Sequence, residues 1–233
     1  MKHEIIGNNL QMVKIDLIPG EGIFAEAGSM VNMTGSFTME SQLKGGIFSG
    51  IKRAVVGESV FLTRFAPAES AGFVCFAGTM PGKIFPVQVS PDREFIARRE
   101  SFLCCDETVE LEIAFTDKIR AGLFGGGGFI LQRMTGQGTA FLHCCGDIIE
   151  MTLKPGEVVK VQTGLVVGFD STVSYDIALA GGITTALFGG EGLFVTTLTG
   201  PGKVVLQSMD IEKLVASIIP YLPKPEVVQV KAV

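Results

Sequence analysis

Hydrophobic and polar residues alternate along much of the chain, in short runs that end near proline or glycine. The runs VKIDLI, PVQV and EVVKVQ begin at residues 13, 86 and 157, and each presents every second side chain to the same face. Such alternation is typical of a β-strand with one buried face. A tight turn is predicted beside each run at Pro19, Pro91 and Pro155, because proline already has the φ that the second position of a turn requires.

The strand-and-turn pattern occurs three times along the chain. Copies aligned on the prolines are separated by 72 and 64 residues, and copies aligned on a glycine-rich motif are separated by 69 and 64. Two landmarks with nearly the same period predict tandem units over residues 1–80, 81–146 and 147–210, followed by a C-terminal segment over 211–233. The glycines that align are Gly57, Gly126 and Gly190.

Helical periodicity is confined to the segment DIEKLVASIIPYLP, which begins at Asp210. Asp210 can cap a helix, Leu214, Ile218 and Ile219 share one face, and Pro220 ends the pattern. This apolar face could pack on the chain's own body or on a neighbouring molecule. The tail KPEVVQVKAV could add an edge strand or remain loose.

The predicted fold class is all-β, because many short strands are joined by glycine-rich turns. A unit of about 70 residues buries little by itself, so three stacked units can cover what each leaves exposed. A pseudo-threefold arrangement with a short C-terminal helix is the simplest architecture.

Several motifs carry a resemblance to a known family. They are the FGGEG turn followed by LTGPGKVVLQS, and the upstream segments PGE, AEAGSMV and KGGIFSGIKRAVVGESVF. Together they resemble the altered-inheritance-of-mitochondria family of bacterial and mitochondrial proteins, which is similar in fold to the tryptophan RNA-binding attenuation protein. The match covers roughly residues 5–222.

The resemblance implies three shortened double-stranded β-helix domains around a pseudo-threefold axis, and assembly into larger oligomers. Mitochondrial members are linked to inner-membrane organisation, and the family offers no catalytic residues to transfer. The middle unit departs from the pattern, since Gly127 stands where the other units have Glu58 and Glu191. Whether these glutamates act beyond the turn stays open.

The composition indicates that part of the surface is covered by partner chains. Hydrophobic residues make up 47% of the 233 residues and charged residues only 18%, with a mean hydropathy of +0.42. This is rather apolar for a soluble monomer. A homo-oligomer is therefore predicted, with a trimer as the first stoichiometry to test.

Charge and local sequence bear on partners and location. The net charge of −5 and the absence of tryptophan argue against a nucleic-acid surface. No window of about 18 uninterrupted apolar residues predicts a transmembrane helix, and MKHEIIGNN does not have the pattern of a signal peptide. Cytoplasmic location is the resulting expectation, with peripheral membrane association left open.

The glycine-rich motifs invite comparison with a phosphate-binding loop. Such a loop needs a lysine and a hydroxyl after its glycines, whereas Phe129 and Ile130 follow GGGG, and Leu193 and Phe194 follow GGEG. These residues predict a buried strand. The glycines are interpreted as structural, supplying a positive φ or a close approach of two backbones.

Metal and hydrolase sites lack their usual residues in this sequence. Only His3 and His143 are present, and His3 is expected to lie in a mobile terminus. The adjacent cysteines cannot chelate through one strand face, because neighbouring side chains point to opposite faces. No cofactor, metal or catalytic residue is predicted, although a pairing of His143 with Cys75 stays open.

Three further groups of residues have simple structural interpretations. Five cysteines without a secretion signal predict reduced, buried thiols. The carboxylates Glu110 and Glu112 are expected on one solvated strand face. Three arginines are expected on a solvated strand face or in an ion-paired interface rather than in a phosphate-binding patch. The cysteines and arginines are Cys75, Cys104, Cys105, Cys144 and Cys145, and Arg93, Arg98 and Arg99.

These observations favour a non-enzymatic, oligomeric β scaffold or interaction protein. The alternative is a module that binds a small ligand or nucleic acid in a groove between repeats. An enzyme with a site around His143 is the remaining hypothesis.

Overall fold

The computed structural model describes residues 1–43, 61–117, 129–179 and 194–223, and the all-β prediction is confirmed. Strands β1 to β7 are Lys2–Ile6, Met12–Leu17, Ile23–Glu26, Met30–Met33, Phe37–Leu43, Phe61–Pro67 and Gly72–Ala77. Strands β8 to β13 are Gly82–Val89, Phe95–Arg98, Phe102–Asp106, Val109–Asp117, Phe129–Gly136 and Gly138–Cys145. Strands β14 to β19 are Ile148–Leu153, Val158–Gln162, Val166–Asp170, Ser174–Leu179, Phe194–Thr199 and Gly202–Gln207. A helix, α1, spans Ile211–Ile218.

Six strands with one pairing pattern recur in each third of the chain, starting at β2, β8 and β14. The sixth strand pairs with the first and third, as β7 does with β2 and β4, β13 with β8 and β10, and β19 with β14 and β16. The fifth strand pairs with the second and fourth, as β6 does with β3 and β5. Strands β12 and β18 pair in the same way. Each unit is thus two three-stranded sheets that enclose an apolar core.

Neighbouring units are joined by pairing of the second strand of one with the third strand of the next. The first junction is β3 with β10, where Ala25 lies opposite Cys104. The second junction is β9 with β16, where Ala97 lies opposite Gly168. Two six-stranded sheets result, each shared by two units.

Apolar side chains cross each junction in both directions. Phe24 of β3 packs in the core of the second unit, and Leu103 of β10 packs in the core of the first. At the second junction, Ile96 of β9 packs in the third core and Val167 of β16 packs in the second. Each junction therefore combines backbone pairing with burial of apolar side chains from both sides.

The three prolines lie in turns that share one hydrogen bond. In each turn the residue two positions after the proline donates its N–H to the carbonyl of the residue before the proline. Gly20 and Gly156 follow the first and third prolines at φ values of +93° and +76°, which glycine adopts readily. The bonds run from Glu21 to Ile18 at 3.0 Å, Arg93 to Ser90 at 2.9 Å, and Glu157 to Lys154 at 2.9 Å.

Both chain ends adopt regular structure within the described residues. The Asp210 side chain accepts a hydrogen bond from the Glu212 N–H at 2.9 Å, so the predicted cap of α1 is confirmed. The expectation of a mobile N-terminus was wrong, because β1 pairs along β2. The His3 ring packs edge-on against Phe141 with centroids 4.9 Å apart, and this apolar contact accounts for the difference.

Some sequence predictions fall outside the described residues. They concern the glycine-rich motifs with Gly57, Gly126, Gly127 and Gly190, the turn glutamates Glu58 and Glu191, and the tail over 224–233. The domain boundaries at residues 80, 146 and 210 also stay a prediction. None of the helices in the described ranges is long and apolar enough to span a membrane.

Close packing at the second junction predicts a large effect of Gly168→Ala. A Cβ at residue 168 would lie 2.5 Å from a ring carbon of Phe95 and 2.6 Å from the Ile96 carbonyl oxygen, so the β9–β16 pair would have to separate. The expected loss is about 1–3 kcal/mol of unfolding free energy. Urea denaturation should detect it, with Gly35→Ala as the control, because a Cβ at Gly35 meets no atom within 4 Å. Equal midpoints for the two variants would contradict the packing argument.

Candidate functional site

A polar pocket of about 280 Å³ lies at the first junction, between the first and second units. It opens where β3 ends and β10 begins. Its titratable side chains are Glu26, Glu100 and His143, each from a different element of the chain. The remaining lining comes from residues 27–29 and 77–79 and from Phe102 and Leu103.

The chain forms the pocket by leaving β3 in a tight turn. Ser29 turns back on Glu26, whose carbonyl oxygen accepts from the Ser29 N–H at 3.2 Å and from Oγ at 2.7 Å. Gly28 within the turn has a φ of +86°, which favours glycine. The Ala77 N–H then donates to the Ser29 carbonyl at 2.9 Å, so the turn is fixed against the end of β7.

His143 forms the inner wall of the pocket. It lies on β13 opposite Ile84 and is only 8% exposed. Its ring packs directly against Gly78, where a larger residue would collide with it. Burial lowers the pKa of His143, and a hydrogen bond with the Met80 backbone opposes this shift. The imidazole is consequently neutral at neutral pH.

Glu26 stands at the rim of the pocket. Partial burial of its carboxyl raises the pKa of Glu26; Arg99 lowers it, and the like charge of Glu100 raises it. The residue itself is exposed at the surface, so the loss of hydration is incomplete. The two carboxylates at the mouth of the pocket are thus offset by Arg99 and by the 3.3 Å ion pair of Glu100 with Arg98.

The second junction carries different chemistry at the same strand positions. Arg98, Gly164 and Gln207 correspond there to Glu26, Glu100 and His143, as the shared pairing pattern defines. The Gly164 carbonyl accepts from Arg98 Nη1 at 2.8 Å and from Gln207 Nε2 at 2.9 Å. Arg98 thus bridges its junction with protein hydrogen bonds, while the first junction keeps an open pocket.

Asp210 completes the polar cluster at the second junction. Its Oδ2 accepts a hydrogen bond from Gln162 of β15, and its Oδ1 caps α1. Gly164 lies so close that a Cβ there would be 2.6 Å from Oδ2. Asp210 therefore fixes the start of α1 to β15.

The Ser29 hydroxyl and the His143 imidazole are each hydrogen-bonded to the backbone. Ser29 Oγ donates to the Glu26 carbonyl, and His143 is bonded to the Met80 backbone. Nucleophilic catalysis would instead need a hydroxyl within reach of the ring. Within the described ranges, no group of three or more His, Cys, Asp or Glu side chains is arranged to hold a metal ion.

The cysteines are free thiols in strands. Cys104 and Cys105 are fully buried and pack in two different cores, as their adjacency on one strand predicts. Cys144 is buried as well, while Cys145 is half-buried. Burial raises the pKa of Cys75, Cys104, Cys144 and Cys145. These groups are held as thiols, the form with little nucleophilic reactivity.

The proposed pairing of Cys75 with His143 has no support in the geometry. Cys75 lies on β7 opposite Lys14, and the charges of Lys14 and Asp16 influence its pKa. His143 instead lines the pocket at the junction, and Cys75 is not among the residues of that lining.

Two of the three arginines singled out in the sequence form ion pairs, and the two glutamates lie on an exposed strand face. Arg93 pairs with Asp170 at 3.7 Å, and Arg98 pairs with Glu100 at 3.3 Å. The positive charge of Arg99 lowers the pKa of Glu26. Glu110 and Glu112 are exposed on β11.

These observations define a class of protein, namely an all-β chain of linked sandwich units with a polar pocket at one junction. The chain belongs to the mitochondrial biogenesis AIM24 family, because the profile of that family matches residues 3–209. This confirms the family resemblance noted in the sequence.

Two bacterial relatives extend the comparison. An uncharacterised protein of Streptococcus pyogenes serotype M6 is 29% identical over 220 residues, covering 91% of this chain and 87% of that protein. The crystal structure of a Streptococcus pyogenes protein is similar with a TM-score of 0.79 and 28% identity, covering 95% of this chain and 99% of that one.

Replacement of the pocket histidine should change how stability depends on pH. The pKa of His143 is lowered in the folded protein, so the unfolded chain binds more protons as pH falls below about 6.5, and folding stability drops there. His143→Gln should remove the contribution of His143 to the loss of stability at low pH. Glutamine is a suitable replacement, since Gln207 occupies the equivalent position at the second junction. Urea denaturation between pH 7.5 and 5.5 measures it, with His3→Gln as the control. Parallel stability profiles for wild type and His143→Gln would disprove the assignment.

Proposed function

We propose that the protein is a non-enzymatic, cytoplasmic scaffold that assembles into a homo-oligomer through two open sheet edges. One edge is β4 of the first unit, and the other is β15 of the third unit. Among the described strands, each of them pairs on one side only. Their counterparts β10 and β16, and β3 and β9, pair on both sides at the two internal junctions.

The exposure of Val31 carries the proposal. In each unit, the third strand shifts its register against the sixth strand at one residue. This residue is Val31, Leu103 or Val167 in the first, second and third units. Leu103 is 2% exposed and Val167 is fully buried, because each packs in the core of the preceding unit. Val31 is 52% exposed, since none of the other described units packs against β4. A third unit from another copy supplies the missing core.

The internal junctions suggest a register for the proposed contact between copies. Ala25 opposite Cys104 and Ala97 opposite Gly168 correspond to Val161 of one copy opposite Asn32 of the next. A contact of this kind joins two different surfaces, so it closes into a ring or continues as a filament. A closed ring pairs β4 and β15 of every copy, and a trimer is the first stoichiometry to test.

Two substitutions with opposite expected effects test the proposed assembly. Val31→Asp should shift the mass measured by light scattering toward the 24.8 kDa of one chain, because a carboxylate would enter an apolar core. Lys160→Ile should strengthen association about tenfold, since its counterparts Phe24 and Ile96 are buried across their junctions. Ile18→Asp changes an exposed residue in a turn and serves as the control.

A stable wild-type mass near 25 kDa at micromolar concentration would refute the oligomer. An oligomer that neither Val31→Asp nor Lys160→Ile affects would refute these two edges as its interface.

The pocket at the first junction favours a second candidate function, binding of a small organic cation. Glu26 and Glu100 line this pocket, and a guanidinium from Arg98 bridges the equivalent place one unit further on. A bound cation would pair with the Glu26 carboxylate, in addition to the compensation that Arg99 provides. The acidic balance of the chain favours such a ligand over nucleic acid.

A thermal-shift assay with agmatine as the guanidinium probe tests this second function. Agmatine should raise the Tm of the wild type, and Glu26→Arg should abolish the shift because the arginine would occupy the pocket. Glu69→Arg is the control, as Glu69 is an exposed turn residue. Equal shifts for the two variants would exclude this pocket as the binding site.

A further inference from the structure

Helix α1 exposes an apolar face that the rest of the described chain leaves uncovered. Val215 is 47% exposed, Ile218 46% and Ile219, just past the helix, 57%. No residue of α1 is buried. The start of the helix is nevertheless fixed, because Asp210 caps it and also accepts a hydrogen bond from Gln162 of the open edge β15. An exposed apolar face on a helix that is fixed at one end is typical of a surface that a partner covers.

A mainly apolar groove of about 330 Å³ lies beside the other open edge, β4. Val31 of β4 forms one side of the groove, and Leu10, which is 72% exposed, forms another. Met80 and Pro81 contribute further apolar surface. The two open edges of the chain thus carry complementary features, a helix on one and a groove on the other.

The chain segments that cross between units indicate how helix and groove meet. Leu10 forms a parallel β-bridge with Gly82, and Gly82 forms one with Gly146. The crossing segments, which are the stretches of chain that lead into β2, β8 and β14, therefore lie side by side. The Met209 N–H continues the series by donating to the Cys145 carbonyl at 3.2 Å. A unit that followed the third would begin its own crossing segment at this point. In an oligomer, that unit is the first unit of the next copy, whose crossing segment contains Leu10.

We infer that α1 of one copy docks its apolar face into the groove of the next copy, against Leu10 and Met80. This inference rests on the proposed assembly, since β4 and β15 bring the groove and the helix to one junction. Docking buries apolar surface on both sides and excludes water from the paired edges. The helix then stabilises the contact between copies, in addition to the strand pairing.

Site-specific disulfide formation between two differently tagged chains tests the docking. One chain carries Leu10→Cys and the other carries Val215→Cys, and they are mixed, equilibrated and mildly oxidised. The matched control replaces Val215→Cys by Lys213→Cys, because residue 213 lies on the opposite side of α1. Wild-type chains measure the background from the half-buried Cys145. Light scattering on an unoxidised wild-type sample reports the assembly independently.

The expected result is a disulfide-linked heterodimer of the two tagged chains. Its band should be at least tenfold stronger for Leu10→Cys with Val215→Cys than for Leu10→Cys with Lys213→Cys. An oligomer of normal mass without this preference would overturn the docking and leave the edge pairing intact. A monomeric wild type would overturn both. A Leu10→Cys/Val215→Cys double variant that links within one chain would assign the helix to its own groove. Val215-dependent sedimentation with phosphatidylserine vesicles, without the cross-link, would assign the face to a membrane, and either outcome contradicts the inference.

Discussion

Pairing of β3 with β10 and of β9 with β16 is the constraint on which the architecture depends. Strands at a sheet edge carry backbone groups that need partners, and a small sandwich cannot supply them within one unit. Each junction satisfies these groups and also exchanges apolar side chains, such as Phe24 and Leu103, between cores. Backbone pairing and core packing therefore stabilise the same contact, and a unit without a neighbour loses both.

Because the units share one pattern, equivalent positions can be compared directly. The end of the second strand carries Glu26, Arg98 or Gln162 in the three units. Arg98 is bonded across its junction and Gln162 is bonded to Asp210, whereas Glu26 lies at an open pocket. Strand geometry is retained while the chemistry at each junction differs. Linkage of the units in one chain permits this difference, which identical subunits in a symmetric ring cannot have.

Local patterns in the sequence predicted a large part of this structure. The prolines identified turns, alternation identified strands, Asp210 identified the cap of α1, and adjacency predicted that Cys104 and Cys105 face different cores. These features depend on neighbours in the chain, so the order of residues contains the information. The all-β class follows from their sum.

The pocket could not be predicted in the same way, because Glu26, Glu100 and His143 meet only after β3 pairs with β10. Pairing between units is a contact over long sequence separation, and no local pattern encodes it. The N-terminal strand was missed for a similar reason, since His3 is held by Phe141. A residue-by-residue alignment of the three units is the signal in the sequence that would have shown residues 26 and 98 to be equivalent.

The peptide links between units give the junctions different dependence on concentration. The crossing segments after β7 and β13 hold the first two junctions together at an effective concentration in the millimolar range, as is usual for short linkers. An association through β4 and β15 depends instead on the concentration of free chains. Dilution would therefore open every assembly at the same type of junction, and a closed ring would release a copy only when two such junctions open together. Exchange of subunits would consequently be far slower than the opening of a single contact.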